Sequence, residues 1–249
     1  FRNTLANGIV IAAQTPADAE RFRSLGANPA RTHVTGNIKF DFELPPGIYE
    51  QGAELRKKYA GARPVWVAAS THAGEEEQVL VAHRIIRKNI PDALLILVPR
   101  HPERFDSIAT LLEKQGFDFV RRSSGRAGAP TTAVVLGDTM GELLAFYAAA
   151  DIAFVGGSLV PVGGHNLLEP AALHLPMLTG PHNYNAQDVT DLFVGSGVAQ
   201  VVQDAGELAE VLQTLLKDPA AAHRLGNQAG ALTETNRGAL HRLLVLLEP

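Results

Sequence analysis

The sequence contains no cysteine. That absence excludes disulfides, thiolate nucleophiles and thiolate metal ligands within this chain, and it fits a cytosolic compartment. Long apolar runs are missing too. The segments "ALLILV" and "AVVL" fall far short of the ~20 residues that cross a bilayer, and no signal peptide heads the sequence, so no membrane span is expected. There is no excess of positive charge: the net charge is -4 and the isoelectric point about 6.1. A phosphate backbone needs a basic surface, so nucleic acid is not the expected main partner. Three motifs are also absent. Without G-x-G-x-x-G or a Walker A loop, dinucleotide oxidoreductase and P-loop NTPase readings lose their support. Without G-x-S-x-G, Ser70 and Ser158 make poor candidates for a nucleophilic triad. Neither a short-period repeat nor a low-complexity tract is seen.

What remains is a chain of 249 residues, 46% hydrophobic and 19% charged, enough for one large α/β domain or for a domain plus part of another. It opens "FRNTLANG" with no initiator methionine, and a missing N-terminal portion is the expectation. "GIVIAAQT" reads as a buried strand, "PADAERFRSLGA" as a helix and "RTHVTGNIKFD" as extended chain, before a linker at "FELPPGIYEQG". A rhythm of strand and helix follows. Strands are expected at "PVWVAAS", "DALLILVP", "FDFVRR", "AVVLGD", "DIAFVGGS", "LPMLTGP" and "AQVV". Helices are expected from Glu75 to Asn89, Pro102 to Gln115, over "MGELLAFYAAA", near Pro170 to His174, from Asn185 to Val194, and from Glu207 to the end. Alternation of this kind implies right-handed βαβ units and a doubly wound parallel sheet from about Gly47 onward.

In such sheets ligands bind outside the carboxyl ends of the strands. Four strand ends here are richly furnished: "ASTHAGEEE", "PRHPERF", "GDTMGEL" and "GGSLVPVGGHNLLEP". In the last, Gly156, Gly157, Gly163 and Gly164 allow tight turns and close approach to a ligand, and a helix start adds N-H groups that suit a phosphate. Pro170 belongs in a first helical turn, which puts Glu169 at the helix start and Asn166 just before it. Glu169 either accepts two hydroxyls such as those of a ribose, or it and Asn166 cap the helix. Thr139 and Glu142 have the spacing of a capping box, while Gly141 inside that first turn suggests that something lies close to the backbone. Arg100, just beyond Pro99, is placed either to bind phosphate bidentately or to sit exposed at a rim. His101 has no second histidine at ligand spacing, so no metal is expected. Ser70, Thr71 and His72 stand at a helix entry. The three glutamates that follow, Glu75 to Glu77, read as a solvated first turn.

"GNIKFD", "ASTHAGEEE", "PRHPERF", "GDTMGEL", "FVGGSLVPVGGHNLLEPAAL" and "GPHNYNAQD", six motifs in order from about Ile9 to the end, resemble the 3-deoxy-D-manno-octulosonic acid (Kdo) transferases of lipopolysaccharide biosynthesis. The resemblance implies a two-domain GT-B glycosyltransferase at the cytoplasmic face of the bacterial inner membrane, peripherally associated with it. Its C-terminal Rossmann-like half would bind the CMP-Kdo donor and its N-terminal half the lipid A precursor. On this reading residues 1–45 are the terminal strand and helix of the acceptor domain with the linker, and 46–249 the donor-binding domain, a doubly wound parallel α/β sheet. By motif position, CMP contacts would fall on Pro99, Arg100, Met140, Gly141, Glu142, Asn166, Leu167, Leu168 and Glu169. A second tier comprises Ser70, Thr71, His72, Gly164, His165 and Asn185, the last read as a helix cap; His182 or Asn183 would approach the sugar. Lys39 and Phe40 would lie at the domain junction, either facing the cleft or packed in the linker. The resemblance implies neither metal nor other cofactor.

The family's catalytic base is a glutamate of the N-terminal half. The chain alone is therefore expected to bind CMP-type ligands weakly or not at all and to transfer no Kdo; detectable transfer by it would overturn that expectation. Two alternatives stand beside this reading: a GT-B transferase using a UDP-sugar, and a nucleotide-binding domain without catalysis.

Overall fold

A computed structural model describes residues 2–6 and 9–247, with side chains from residue 4. Residues 1, 7 and 8 of the expected first segment, and the last two residues of the expected terminal helix, lie outside the described residues. In chain order the elements are α1 (Arg2–Ala6), β1 (Ile11–Ala13), α2 (Pro16–Ser24), β2 (Thr32–Val34), α3 (Ile48–Tyr59), β3 (Val65–Thr71), α4 (Glu76–Asn89), β4 (Leu94–Pro99), α5 (Phe105–Lys114) and β5 (Phe119–Arg121). Then come β6 (Val134–Leu136), α6 (Leu143–Ala148), β7 (Ile152–Val155), α7 (Leu168–Ala172), β8 (Met177–Thr179), α8 (Gln187–Gly195), β9 (Ala199–Val201), α9 (Ala205–Lys217), α10 (Pro219–Thr235) and α11 (Ala239–Val245).

By packing, the chain forms two units, one of residues 1–43 with 231–249, the other of residues 44–230. In the first, β1 and β2 pair in parallel around a small core of Leu5, Ile11 and Ala27. Its C-terminal helix is tied in by polar groups. Asp41 accepts from the backbone N-H of Gly238 and Leu240, serving the start of α11, and Arg242 donates to the Thr35 carbonyl at 2.7 Å.

The second unit holds a seven-stranded, wholly parallel sheet in the order β5-β6-β4-β3-β7-β8-β9. This is the doubly wound α/β sheet that the alternation implies. Side chains of β3 alternate between its two faces. Trp66 and Ala68 join one core with α4, α5 and α9, while Val65, Val67 and Ala69 join the other with α3 and α6. Because both faces are covered, the central strands are continuous apolar runs, buried at every position in β3 and β4.

Helix α3 lies between the Pro-Pro-Gly stop and β3, where no helix was expected. Its apolar signal is sparse: Ile48, Gly52, Leu55 and Tyr59 form the only buried line on a charged segment. That spacing is helical, and Gly52 is there for contact, since a Cβ on it would stand 2.5 Å from that of Ala148 on α6. Conversely, the helix expected from Met140 starts only at Leu143.

One polar pair is locked in the core. His83 is fully buried, accepts from Trp66 Nε1-H at Nδ1 (3.1 Å) and donates from Nε2 to the Ala133 carbonyl (2.9 Å). Burial, with Arg87 and Arg63 nearby, pushes its pKa from 6.5 down to about 3. The folded chain thus keeps His83 neutral while the unfolded chain protonates it near 6.5. The stabilisation is complete above that pH and is lost as pH falls towards 3. Lowering the pH from 7.5 to 5 is expected to cost about 2 kcal/mol through this one residue, read by urea unfolding as a pH slope that His83→Gln flattens.

Candidate active site

The sheet brings the carboxyl ends of β3, β4, β6 and β7 to one edge, and the residues after them form a cleft of ≈ 270 Å³. It is lined by Ser70 from β3, Val98, Pro99 and Arg100 from β4, Thr139, Met140 and Gly141 after β6, Leu143 and Tyr147 of α6, and His165, Asn166 and Glu169 at α7. A larger cavity of ≈ 500 Å³ lies at the opposite, amino ends of β3, β7 and β8, beside Pro64, Asp151 and Pro176. The carboxyl-end cleft is where parallel α/β sheets present their ligands, and there the candidate residues converge.

The expected residues do not all reach it. Pro99, Arg100, Met140, Gly141, Asn166, Glu169, Ser70 and His165 line the cleft. Leu167 and Leu168 point into the core, fully buried. Thr71 is buried and donates to Glu76. His72 stands behind His165, and Glu142 pairs with Arg122 at 2.7 Å and with the Thr139 hydroxyl. The capping box is therefore not formed at α6, because Gly141 adopts φ +80° and ends the extended chain short of the helix. A Cβ there would meet nothing within 4 Å, so backbone conformation rather than crowding calls for glycine. Asn185 likewise does not cap α8. Its amide donates to the Val162 carbonyl and its backbone N-H to that of Gly163, tying the segment before α8 to the glycine-rich loop. Asn183 is buried against Thr179 and Gly180, and His182 donates its backbone N-H to Ser158.

The glutamates overturn the solvated-turn expectation. Glu77 is exposed, but Glu75 and Glu76 are completely buried. The Glu75 carboxylate accepts from the backbone N-H of Gly157 (2.7 Å), Ser158 (3.0 Å), Leu159 (2.9 Å) and His72 (3.2 Å). Glu76 is held by Arg104 and Thr71, and burial raises its pKa against those contacts. The glycine-rich loop after β7 is thus no open phosphate cradle. Its amides at 157–159 are taken by Glu75, those of Gly163 and Gly164 by the Gly157 carbonyl, and that of Leu168 by Asn166. Its glycines permit close packing: a Cβ on Gly156 would lie 2.7 Å from the Glu75 carboxylate, and one on Gly164 2.4 Å from the Asn183 amide oxygen. The Arg100 side chain, by contrast, stands exposed at the rim of the cleft.

Two features mark the cleft floor. Ser70 has φ +56° where β3 shifts register against β4, a strained conformation held by the sheet around it. Glu169 is half-buried, and burial raises its carboxyl pKa, opposed by Asn166 and the Arg100 charge. Full burial, helped by the Glu169 charge, pushes the Tyr147 phenol well above its ordinary value. A carboxylate at the floor and a guanidinium at the rim can grip a diol and a phosphate at once. His101 is not isolated either. His72 and His165 meet edge to edge with their rings nearly coplanar (centroids 5.1 Å, 11° apart), and His72 meets His101 edge-on (5.2 Å), although no group of three or more His, Cys, Asp or Glu among the described residues is placed to hold a metal ion.

The sequence matches two family patterns, that of 3-deoxy-D-manno-octulosonic-acid transferase over residues 1–42 and that of glycosyl transferases group 1 over residues 63–231. It is 44% identical over 241 residues to the 3-deoxy-D-manno-octulosonic acid transferase of Haemophilus influenzae, covering 96% of this chain and 56% of that protein. To the transferase of the same description from Bordetella pertussis it is 39% identical, over all of this chain and 58% of that one. It therefore spans little more than half the length of these relatives. Among solved structures, the C-terminal CMP-Kdo binding domain of WaaA from Acinetobacter baumannii is 37% identical, with a TM-score of 0.71 covering 75% of this chain and 97% of that one.

Removing the Glu75 carboxylate leaves buried amides without acceptors, each deficit worth about 1–3 kcal/mol. Glu75→Ala is expected to lower unfolding stability by about 3 kcal/mol or more in urea titration. Glu75→Gln, which keeps the volume and one acceptor oxygen, is expected to lose less. Equal stability of both variants and the parent would overturn the role given to Glu75.

Proposed function

Because the chain belongs to the Kdo transferase family of glycosyltransferases, we propose that it is the donor-binding part of an enzyme that transfers Kdo from CMP-Kdo to a lipid A precursor. The observation that carries this reading is the convergence of Arg100, Met140, Gly141, Asn166 and Glu169 from separate strand ends on one cleft. Glu169, at the floor, accepts the ribose hydroxyls. Gly141, with its left-handed backbone and the open space beside it, lets the base lie along the turn before α6. Arg100 takes the phosphate. Functionally, residues 1–45 belong to the acceptor side and 46–249 to the donor side, the last helix returning to pack with the first residues.

The chemistry assigns each group a task. An acceptor hydroxyl attacks the anomeric carbon of Kdo, the bond from that carbon to the phosphate oxygen breaks, and CMP departs with the bonding pair. Negative charge grows on the phosphate during this step, so a cation fixed there beforehand stabilises the transition state more than the ground state. Arg100 supplies that charge. The acceptor proton goes to a general base, which we assign to the part of the full-length enzyme outside this chain. Membrane association and the lipid acceptor belong to the same part; among the described residues no helix is long and apolar enough to cross a membrane.

Calorimetric titration with CMP, UMP and UDP tests the reading. Weak, CMP-selective binding is expected, lost in Arg100→Ala and Glu169→Ala; removing a charge-assisted hydrogen bond is worth about 1.5–3 kcal/mol, or roughly ten- to a hundredfold in affinity. Preference for UDP, or CMP binding indifferent to both variants, would overturn it.

A further inference from the structure

Resting on that reading, we propose that His72 is a positioning residue that sets the tautomer of His165, so that His165 presents an N-H donor to the anionic donor substrate. The geometry is unusual in one respect: the two rings meet Nε2 to Nε2 at 2.8 Å while lying nearly parallel, 11° apart. A hydrogen bond between two such nitrogens needs one N-H and one lone pair, so the rings must hold opposite tautomers. If His72 donates from Nε2, His165 receives there and carries its own proton on Nδ1.

With Nε2 engaged by His72, Nδ1 is the ring nitrogen of His165 that the proposal turns to the cleft. Its Cδ2 and Nε2 face Gly157, where a Cβ would come within 2.9 and 3.0 Å of them, and that glycine stands at φ +68°. His165 itself lines the cleft beside Arg100, Asn166 and Glu169. An anion there favours the arrangement that turns an N-H towards it.

The surroundings keep the pair neutral. Burial lowers the pKa of His165 to about 4, helped by His72, Arg100 and His101. Burial, then His101, Arg104 and Arg100, lowers that of His72 as well. The negative groups at hand are committed elsewhere: Glu75 accepts the His72 backbone N-H and loop amides, and Glu169 lies along the cleft floor. A neutral donor has a use in transfer, because it binds the departing phosphate without adding a second full charge to Arg100. His72 reaches this effect only through His165, from 93 residues away in sequence.

Two substitutions separate positioning from packing. Gln at 72 can place an amide N-H near the site of Nε2-H and so can still donate to His165, whereas Phe keeps an aromatic ring there and cannot donate. The probe is the methyl ester of CMP, a phosphodiester with no phosphate titration near neutrality, followed calorimetrically at pH 7. His72→Phe is expected to weaken binding about tenfold, the worth of one hydrogen bond, while His72→Gln stays within about twofold of the parent. Long-range proton-nitrogen correlation spectra of the histidine-labelled protein give the second readout. His72 in the Nε2-H form and His165 in the Nδ1-H form are expected with the ester bound. Equal tautomers in the two rings, or binding better kept by Phe than by Gln, would overturn the proposal alone. Failure of the ester to bind the parent protein at all would overturn the donor-site reading and this inference with it.

Discussion

The carboxyl edge of the sheet depends on one buried carboxylate. Glu75 sits where α4 begins, wholly out of solvent, and its oxygens take three amides of the loop that follows β7, some 82 to 84 residues further along the chain. Burying an ionisable group without partners is prohibitive, and burying amides without acceptors is costly; each deficit here is the remedy for the other. The glycines of that loop answer to the same constraint. Gly156 has no room for a Cβ beside the carboxylate, and Gly157 must turn through the left-handed region to aim its N-H inward. Loop and strand end are thereby held as one rigid piece, on which His165, Asn166 and Glu169 are mounted.

This arrangement changes what the glycine-rich corner does. Glycines before a short helix suggest backbone amides aimed at a phosphate, and the amides are present, but they are aimed at the protein. What lines the cleft with polar groups is side chains, Arg100, Glu169 and His165 among them. A site made of side chains on a fixed backbone can be tuned residue by residue, and its electrostatics are set by neighbours. Arg100 opposes the burial-driven rise of the Glu169 pKa and at the same time helps depress that of His165.

Much of the architecture was legible beforehand. The central strands announce themselves as continuous apolar runs because both faces of the sheet are covered, and the helices between them follow from alternation. Most of the cleft was legible as well, since such folds gather ligand-facing residues in the segments between a strand end and the next helix start, where Arg100, Gly141, Asn166 and Glu169 are found. What escaped has identifiable causes. Helix α3 was hidden because one glycine and three larger residues make its whole buried line. The capping pattern at Thr139 misled because Gly141 breaks the turn, and Glu142 spends its carboxylate on Arg122 and the Thr139 hydroxyl instead of on a backbone N-H. Leu143 and Tyr147 reach the cleft from α6, and nothing in their local pattern distinguishes them from core residues.

By itself, then, the sequence determined the class of fold, the strand ends that border the cleft and the family to which the chain belongs, because periodicity and ordered motifs are local properties that survive without coordinates. Only the tertiary structure decided which of those residues meet. It turned Glu75 from part of a solvated turn into the buried anchor of a loop, paired His72 with His165, sent Leu167 and Leu168 into the core, and grouped the last helix with the first 43 residues. The physical reason is the same in each case: partners separated by tens or hundreds of residues leave no mark at either position, and their hydrogen-bonding groups look unsatisfied until the chain has closed around them.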